Sequence, residues 1–228
     1  MFCEFIDKMG TDKTVVDAAR VSFSKRTQWE RNIPATGIYE LSDKDKKLIK
    51  YLAEHDHWSP FGHASLSFHI GAPVFVARQL VKHQVGLTWN EVSRRYVDNE
   101  PEFYHPETWR GRPVDKKQGS SDEVVEWLNR DRRVGGEVHK SERHAAELYH
   151  SMIVGGVSPE QARMVLPQSM MTEWYWSGTL YAFARVCNLR CKDDTQEETR
   201  AIAWMIDAIV GHHFPVSYTH LTLPTTPY

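Results

Sequence analysis

Between residues 64 and 70 the side chains alternate. Leu66, Phe68 and Ile70 fall on one side, and Ser65, Ser67 and His69 on the other. A period of two is that of a strand with one buried face, so this stretch predicts a half-buried strand. Helical spacing surrounds it. Val15, Val16, Ala19 and Val21 share the apolar side of a helix that Thr11 or Asp12 can cap. Ser42, with Asp45 three residues on, forms a shortened capping box. The helix it starts runs to about His55, with Leu48, Ile49, Leu52 and Ala53 on one face. Pro73 suits a helix start because its missing N–H would be unpaired there anyway, and that helix is expected to run to about His83, before Gly86. Further along, 91–97 predicts a short strand or extended segment. A long helical stretch follows over 122–154, with Gly135-Gly136 as a point of interruption. Ser158-Pro159-Glu160 opens a short helix that Pro167 ends, 169–177 is rich in Trp, Tyr and Met and predicts a strand, and helices follow at 179–189 and 195–211. Residues 24–41, with Pro34 and Gly37, and 110–121, with Gly111, Pro113 and Gly119, are expected to be loops. The elements mix without a βαβ rhythm, so the class is α+β.

Composition narrows the function classes. The chain has 228 residues, 41% apolar and 25% charged, which suits one domain with a sizeable core and excludes intrinsic disorder. A net charge of −2 gives no bulk attraction to nucleic acid or membrane, and no apolar run approaches the ~20 residues of a membrane span. Residues 1–10 carry acids and no apolar signal core, so a cytoplasmic location is expected. Three cysteines, Cys3, Cys187 and Cys191, are an odd, sparse count that argues against a disulfide framework and fits a reducing compartment. Residues 217–228 are uncharged and contain four threonines. They are set apart as a foreign or disordered tail, leaving a domain over 1–216.

Chemistry concentrates between Ala77 and Tyr96. Arg78 and Lys82 are four residues apart on one helical face, as are Gln79 and His83, and Asn90, Ser93, Arg94 and Arg95 follow. Cations, amides and a hydroxyl together suit a phosphate monoester; a solvated basic face is the bland alternative. His55, His57 and His63 could hold a metal, but they cross a helix end and a Pro turn. Helix-end capping by these histidines, or stacking of a flat cofactor on His57 or Trp58, competes with that, and no metal is assigned. Arg190 sits at a helix C-terminus, where a cation complements the dipole. Arg163 lies in an apolar helical stretch, where burial would demand a carboxylate or an anion. The chain lacks a Gly-x-Gly-x-x-Gly turn, a Walker loop and a Gly-x-Ser-x-Gly elbow.

Together these segments resemble the flavin-dependent thymidylate synthase family. The resemblance covers about residues 9–214. It is carried by Ala-Ala-Arg-Val-Ser-Phe at 18–23, the His-x-Ser-Pro-Phe-x-His run at 57–63 and Phe-His-Ile-Gly-Ala-Pro-Val-Phe-Val-Ala-Arg-Gln at 68–79. Asn90-Glu-x-Ser-x-Arg-Tyr96, Arg-x-Val-Leu-Pro at 163–167 and Asn-Leu-Arg at 188–190 complete it. Two departures stand out. The family's Arg-His-Arg is Lys82-His83-Gln84 here, and one extra residue separates His83 from Asn90.

The resemblance implies a single α+β domain with a central, mostly antiparallel sheet flanked by helices. It implies reductive methylation of dUMP to dTMP, with methylenetetrahydrofolate as carbon donor and an FAD reduced by NADPH, in a homotetramer whose sites draw on several subunits. No cysteine nucleophile, nucleic acid or membrane is involved. Arg190 matches the catalytic Arg held against the uracil. Gln79, Lys82, Glu91, Ser93, Arg94, Arg95, Arg163 and Arg190 are the expected dUMP contacts. His57, Ser59, Lys82, His83, Gln84, Glu91, Thr179, Tyr181 and Arg185 are the expected FAD contacts. The altered Arg-His-Arg segment motivates an alternative, a catalytically lapsed member that binds nucleotide or RNA.

Overall fold

The half-buried strand of the sequence pattern is the second strand of a four-stranded antiparallel sheet. The structure is a computed structural model that describes residues 1–33, 38–114 and 119–222. β1 (Phe2–Met9), β4 (Ser65–Pro73), β8 (Met171–Thr179) and β5 (Leu87–Glu91) lie side by side in the order β1-β4-β8-β5. Two small hairpins stand apart, β2 (Arg31–Ile33) with β3 (Ile38–Glu40), and β6 (Trp127–Asn129) with β7 (Arg132–Arg133). The helices are α1 (Asp12–Arg20), α2 (Asp43–Glu54), α3 (Val74–Leu80), α4 (Val134–Val154), α5 (Pro159–Ala162), α6 (Leu180–Arg190), α7 (Glu197–His213) and α8 (Pro215–Thr222).

One sheet face makes the core. Leu66, Phe68 and Ile70 of β4 and Trp174 and Trp176 of β8 are fully buried on it, with Leu180, Phe183 and Val186 of α6 and Ile202, Ile206 and Val210 of α7. Each such side chain contributes roughly 1.5–3 kcal/mol by leaving water. Phe183 meets Phe68 edge-on at 4.9 Å and Trp176 at 5.4 Å. The alternate residues face outward. There His69 stacks on Tyr175 at 5.1 Å, and its Nε2 lies 3.0 Å from the Glu173 carboxylate.

The expected caps are present. Thr11 and Thr14 exchange side-chain to backbone bonds at the start of α1. The Asp45 backbone N–H donates to Ser42 Oγ at 3.2 Å, and Ser42 donates back to the Asp45 carboxylate at 2.9 Å. His55 bonds through Nδ1 to the Tyr51 carbonyl at 2.9 Å, the capping role that competed with metal binding.

Several expectations are corrected. The loop expected over 24–41 contains the β2–β3 hairpin, and Pro34 and Gly37 lie outside the described residues. The strand expected at 91–97 is β5, ending at Glu91. α3 stops at Leu80 instead of His83. The helix expected from 122 begins only at Val134, because 127–133 forms a hairpin in which the Arg133 guanidinium sits 4.7 Å from the Trp127 ring. Gly135 and Gly136 stand in its first turn and do not interrupt it. In the loop at 110–121, residues 115–118 lie outside the described residues.

The tail expected from Ser217 is not detached from the fold up to Thr222. Asp12 accepts from the Val216 and Ser217 backbone N–H groups at 3.0 and 2.8 Å, and Tyr218 is buried with its hydroxyl 2.5 Å from Asp207. Composition, not placement, sets 217–222 apart; 223–228 lie outside the described residues.

Candidate active site

Two concavities sit at opposite ends of β5. The first, about 450 Å³, lies between the turn after α3 and the exposed side of α6. Lys82, His83, Gln84, Val85 and Leu87 line one wall, and Ala182, Arg185, Asn188, Leu189 and Lys192 the other. The turn is pinned to the sheet. Gly86 has φ +78°, and its carbonyl accepts from the Thr179 N–H at 3.0 Å. A Cβ on Gly178, opposite Leu87, would lie 2.6 Å from the Gly86 oxygen, so this close approach requires glycine there. Thr179 itself caps α6, its Oγ1 accepting from the Ala182 N–H at 3.2 Å.

At this cleft Arg190 Nε donates to His83 Nε2 at 3.0 Å. An accepting Nε2 means a neutral imidazole with its proton on Nδ1. Burial, then the Arg190 and Arg185 charges, push the His83 pKa below its ordinary 6.5. Below pH 6.5 the unfolded chain therefore takes up a proton at this site before the folded chain does. His83 lowers stability as pH falls through that window, and above 6.5 it adds no pH dependence. We expect the His83 ring to titrate below 6.5 in an imidazole NMR titration. Arg190→Ala should raise that value only part way, since burial is the larger cause. Titration at or above 6.5 in the unmodified chain would contradict this geometry.

α6 carries the cleft on to a second group. The Arg185 guanidinium lies 6.0 Å from the Tyr181 ring, the Tyr181 hydroxyl donates to Asp56 at 2.9 Å, and Trp58 tilts against Tyr181 at 6.2 Å. His57 and Ser59 flank Trp58, both exposed, with the His57 ring 5.9 Å from Tyr51. The residues expected at the flavin are thus arranged along one helix and its two neighbouring turns, Glu91 excepted.

The second concavity, about 760 Å³, holds Glu91 together with Arg78, Arg94 and Arg163. Phe2, Glu100, Glu102, Gln168 and residues 170–173 are among its walls. Glu91 accepts from the Thr172 hydroxyl at 2.9 Å and from the Trp89 indole at 3.2 Å. Trp89 in turn stacks on Trp174 at 4.4 Å, so the sheet core sets this carboxylate. Arg94 donates to the Asn99 carbonyl. Arg95 bonds back to Ser93 at 3.2 Å through its Nε.

Arg163 is exposed, not buried. The expected helix is a single turn, α5, followed by a 3-10 turn over Arg163–Val165, and Arg163 Nε donates to the Glu160 carbonyl at 3.2 Å. Gln79 is bonded to Gln196, which reaches Glu198 at 3.0 Å. Gln79 thus faces the start of α7 and lines neither concavity. Arg78, noted in the sequence only as part of a basic face, lines the larger cavity, whereas Lys82 lines the cleft. The helix ends between them, and the face they were expected to share is broken. No described residue lines both concavities.

His55, His57 and His63 do not form a ligand cluster among the described residues. None of the three cysteines lines either concavity. Burial pushes the Cys3 thiol up to about 12, and a hydrogen bond with Cys191, then burial, raises Cys187. Cys191 moves the opposite way, its sulfur bonded by Cys187. No helix among the described residues is long and apolar enough to cross a membrane.

Residues 4–216 match the family model described as thymidylate synthase complementing protein. Two relatives are each named flavin-dependent thymidylate synthase. One, from Thermus thermophilus, is 35% identical over 217 residues, 95% of this chain and 74% of the relative. The other, from Kosmotoga olearia, is 36% identical over 219 residues, 95% of this chain and 88% of the relative. The fold is similar to a UMP/dUMP methylase, PolB, from Streptomyces cacaoi, solved with 5-Br dUMP. The TM-score is 0.75 at 28% identity, over 97% of this chain and 94% of that one.

Proposed function

This chain belongs to the flavin-dependent thymidylate synthase family, and on that premise we propose that it converts dUMP to dTMP with methylenetetrahydrofolate as carbon donor and an FAD reduced by NADPH. The observation that carries the reading is the pairing of Arg190 with a neutral His83 at a cationic cleft. β5 links that cleft to a cavity containing three arginines. Four Cα steps along β5 separate the two by ~13 Å.

The residues fit the groups assigned to them. Lys82 and Lys192 with the Gln84 and Asn188 amides line the cleft, and the Tyr181–Trp58 surface continues it. That donor set suits a phosphate-bearing cofactor with a flat ring system, and His57, Ser59, Thr179 and Arg185 border it. When bound, the flavin supplies the hydride for the reductive step. Arg190 places a fixed charge against the uracil, and His83 sets its direction while holding no charge of its own. Arg94, with Ser93 and Arg95, holds the phosphate of dUMP, Arg163 helps to hold its base, and Glu91 lies between nucleotide and flavin. Gln79, bonded to Gln196, joins the nucleotide only if that bond is exchanged.

The homotetramer that the family resemblance implies, with sites built from several subunits, is in keeping with assigned residues divided between two concavities of one chain. Purified protein is expected to be yellow, and dUMP to perturb its flavin absorbance. Colourless protein that fails to take up FAD would overturn the reading. Growth of a thymidine-requiring strain carrying this gene excludes a lapsed, merely nucleotide-binding member.

A further inference from the structure

The buried carboxylate of α4 has no part in either concavity. Glu142 is 3% exposed, and its Oε2 has no hydrogen-bond partner. An unpaired buried carboxylate oxygen is costly, so it calls for a cation. The other oxygen, Oε1, accepts from the Ser169 hydroxyl at 2.5 Å, which fixes the plane of the group.

Two imidazoles surround the unpaired oxygen. His139, three residues earlier on α4, shares its face. His105 comes from the loop beside β8, with its Nε2 3.5 Å from Oε2, too long for a good hydrogen bond. The two rings are 5.5 Å apart, and ligand atoms of all three residues lie within 4.8 Å of one another. Ser169 ties both sides of this group. Its hydroxyl holds Glu142, and its carbonyl accepts from the Tyr104 N–H at 2.8 Å, next to His105.

We propose that His105, His139 and Glu142 bind a divalent first-row transition ion of the zinc class. Two imidazoles and one carboxylate are a ligand set for such an ion, with a fourth position left to water. Both histidines are exposed, so their rings can close on a metal by rotamer adjustment. The Ser169 hydroxyl is the outer-shell bond that orients the carboxylate. The ion would clip α4 to the loop at 102–105, whose Glu102 lines the larger cavity. Little in the sequence announces this site, because His105 is remote from a His-x-x-Glu spacing that is common on solvated helices.

The test titrates chelator-treated, full-length protein with zinc against a chromophoric competitor, and repeats the titration with cobalt to read ligand-field absorbance. One equivalent is expected at micromolar affinity or tighter, with a rise in Tm that follows zinc concentration. His139→Ala and Glu142→Gln each remove a direct ligand and should weaken binding by more than about 100-fold, beyond the most that a lost outer-shell partner costs. His139 lies on an exposed helix face, so its variant stays folded even where Glu142→Gln does not. Cys191→Ser reports on the other ligand cluster, Cys187, Cys191 and Asp207, and should leave the equivalent in place. Absence of stoichiometric uptake, uptake unchanged in His139→Ala, or uptake lost only in Cys191→Ser would each overturn the site.

Discussion

Arg190→Ala should lower dTMP formation by about 10²–10³-fold or more, the usual cost of deleting a preorganised charge that faces a reacting group. Stability should change by less than ~0.5 kcal/mol, as for a partly exposed side chain outside the core. The geometry separates these two outcomes. Arg190 is the last residue of α6, and its Nε bonds to His83, not to the sheet. Its loss leaves Phe183 and Val186 of the same helix in their buried places. Arg190→Lys keeps a positive charge but loses the planar fork and the bond from Nε, so only a small part of the rate should return. Steady-state turnover with a thermal melt on the same preparation measures both. Near-normal turnover in the alanine variant would remove Arg190 from its role.

Trp174→Ala is expected to reverse that balance, with stability lost first. Trp174 is 1% exposed and stacks on Trp89 at an interplanar angle of 16°. Removing a buried indole costs about 3–5 kcal/mol, which for a chain of this length lowers Tm by roughly 10 °C. The site suffers as well. Trp89, freed from its stack, no longer holds the Glu91 carboxylate through its indole N–H. In Trp174→Phe much of the packing survives, so that variant should melt closer to the parent. Its dUMP affinity tests whether the stack itself places Glu91. A Trp174→Ala protein that melts with the parent would show that this face of the sheet is not the core.

The core and the helices that carry it were legible because their signals are local. The alternation in β4, the Ser42 cap of α2 and the aromatic run of β8 all stand where the sequence places them. β1 has no clear signal in the sequence because a register shift between Phe5 and Asp7 breaks its period of two, and it is a half-exposed edge. β5 was displaced because its polar residues continue into the basic run, where composition outweighed the Leu87–Trp89 alternation. Arg163 is exposed despite its apolar neighbours because such neighbours imply burial only in a regular helix, and here the helix lasts one turn.

The candidate site was legible as a set of residue types and as motifs, but not as two concavities. Nothing in the spacing of Arg78 and Lys82 shows that the helix ends at Leu80 between them. The chain's eight tryptophans are partly accounted for by packing. Trp174 and Trp176 are core, and Trp89 joins them to Glu91.

The pairing of β5 with β8, Leu87 on Gly178 through Glu91 on Trp174, also decides where this chain can change length. A residue inserted between Leu87 and Trp89 would turn Trp89 and Glu91 together to the other face of the sheet. One inserted before Gly86 only enlarges a turn, and loop closure grows slowly with length. The extra residue that the resemblance places between His83 and Asn90 would therefore be absorbed most readily in the 81–86 turn. Evolutionary drift in that turn can reshape the cleft while the larger cavity keeps its dimensions.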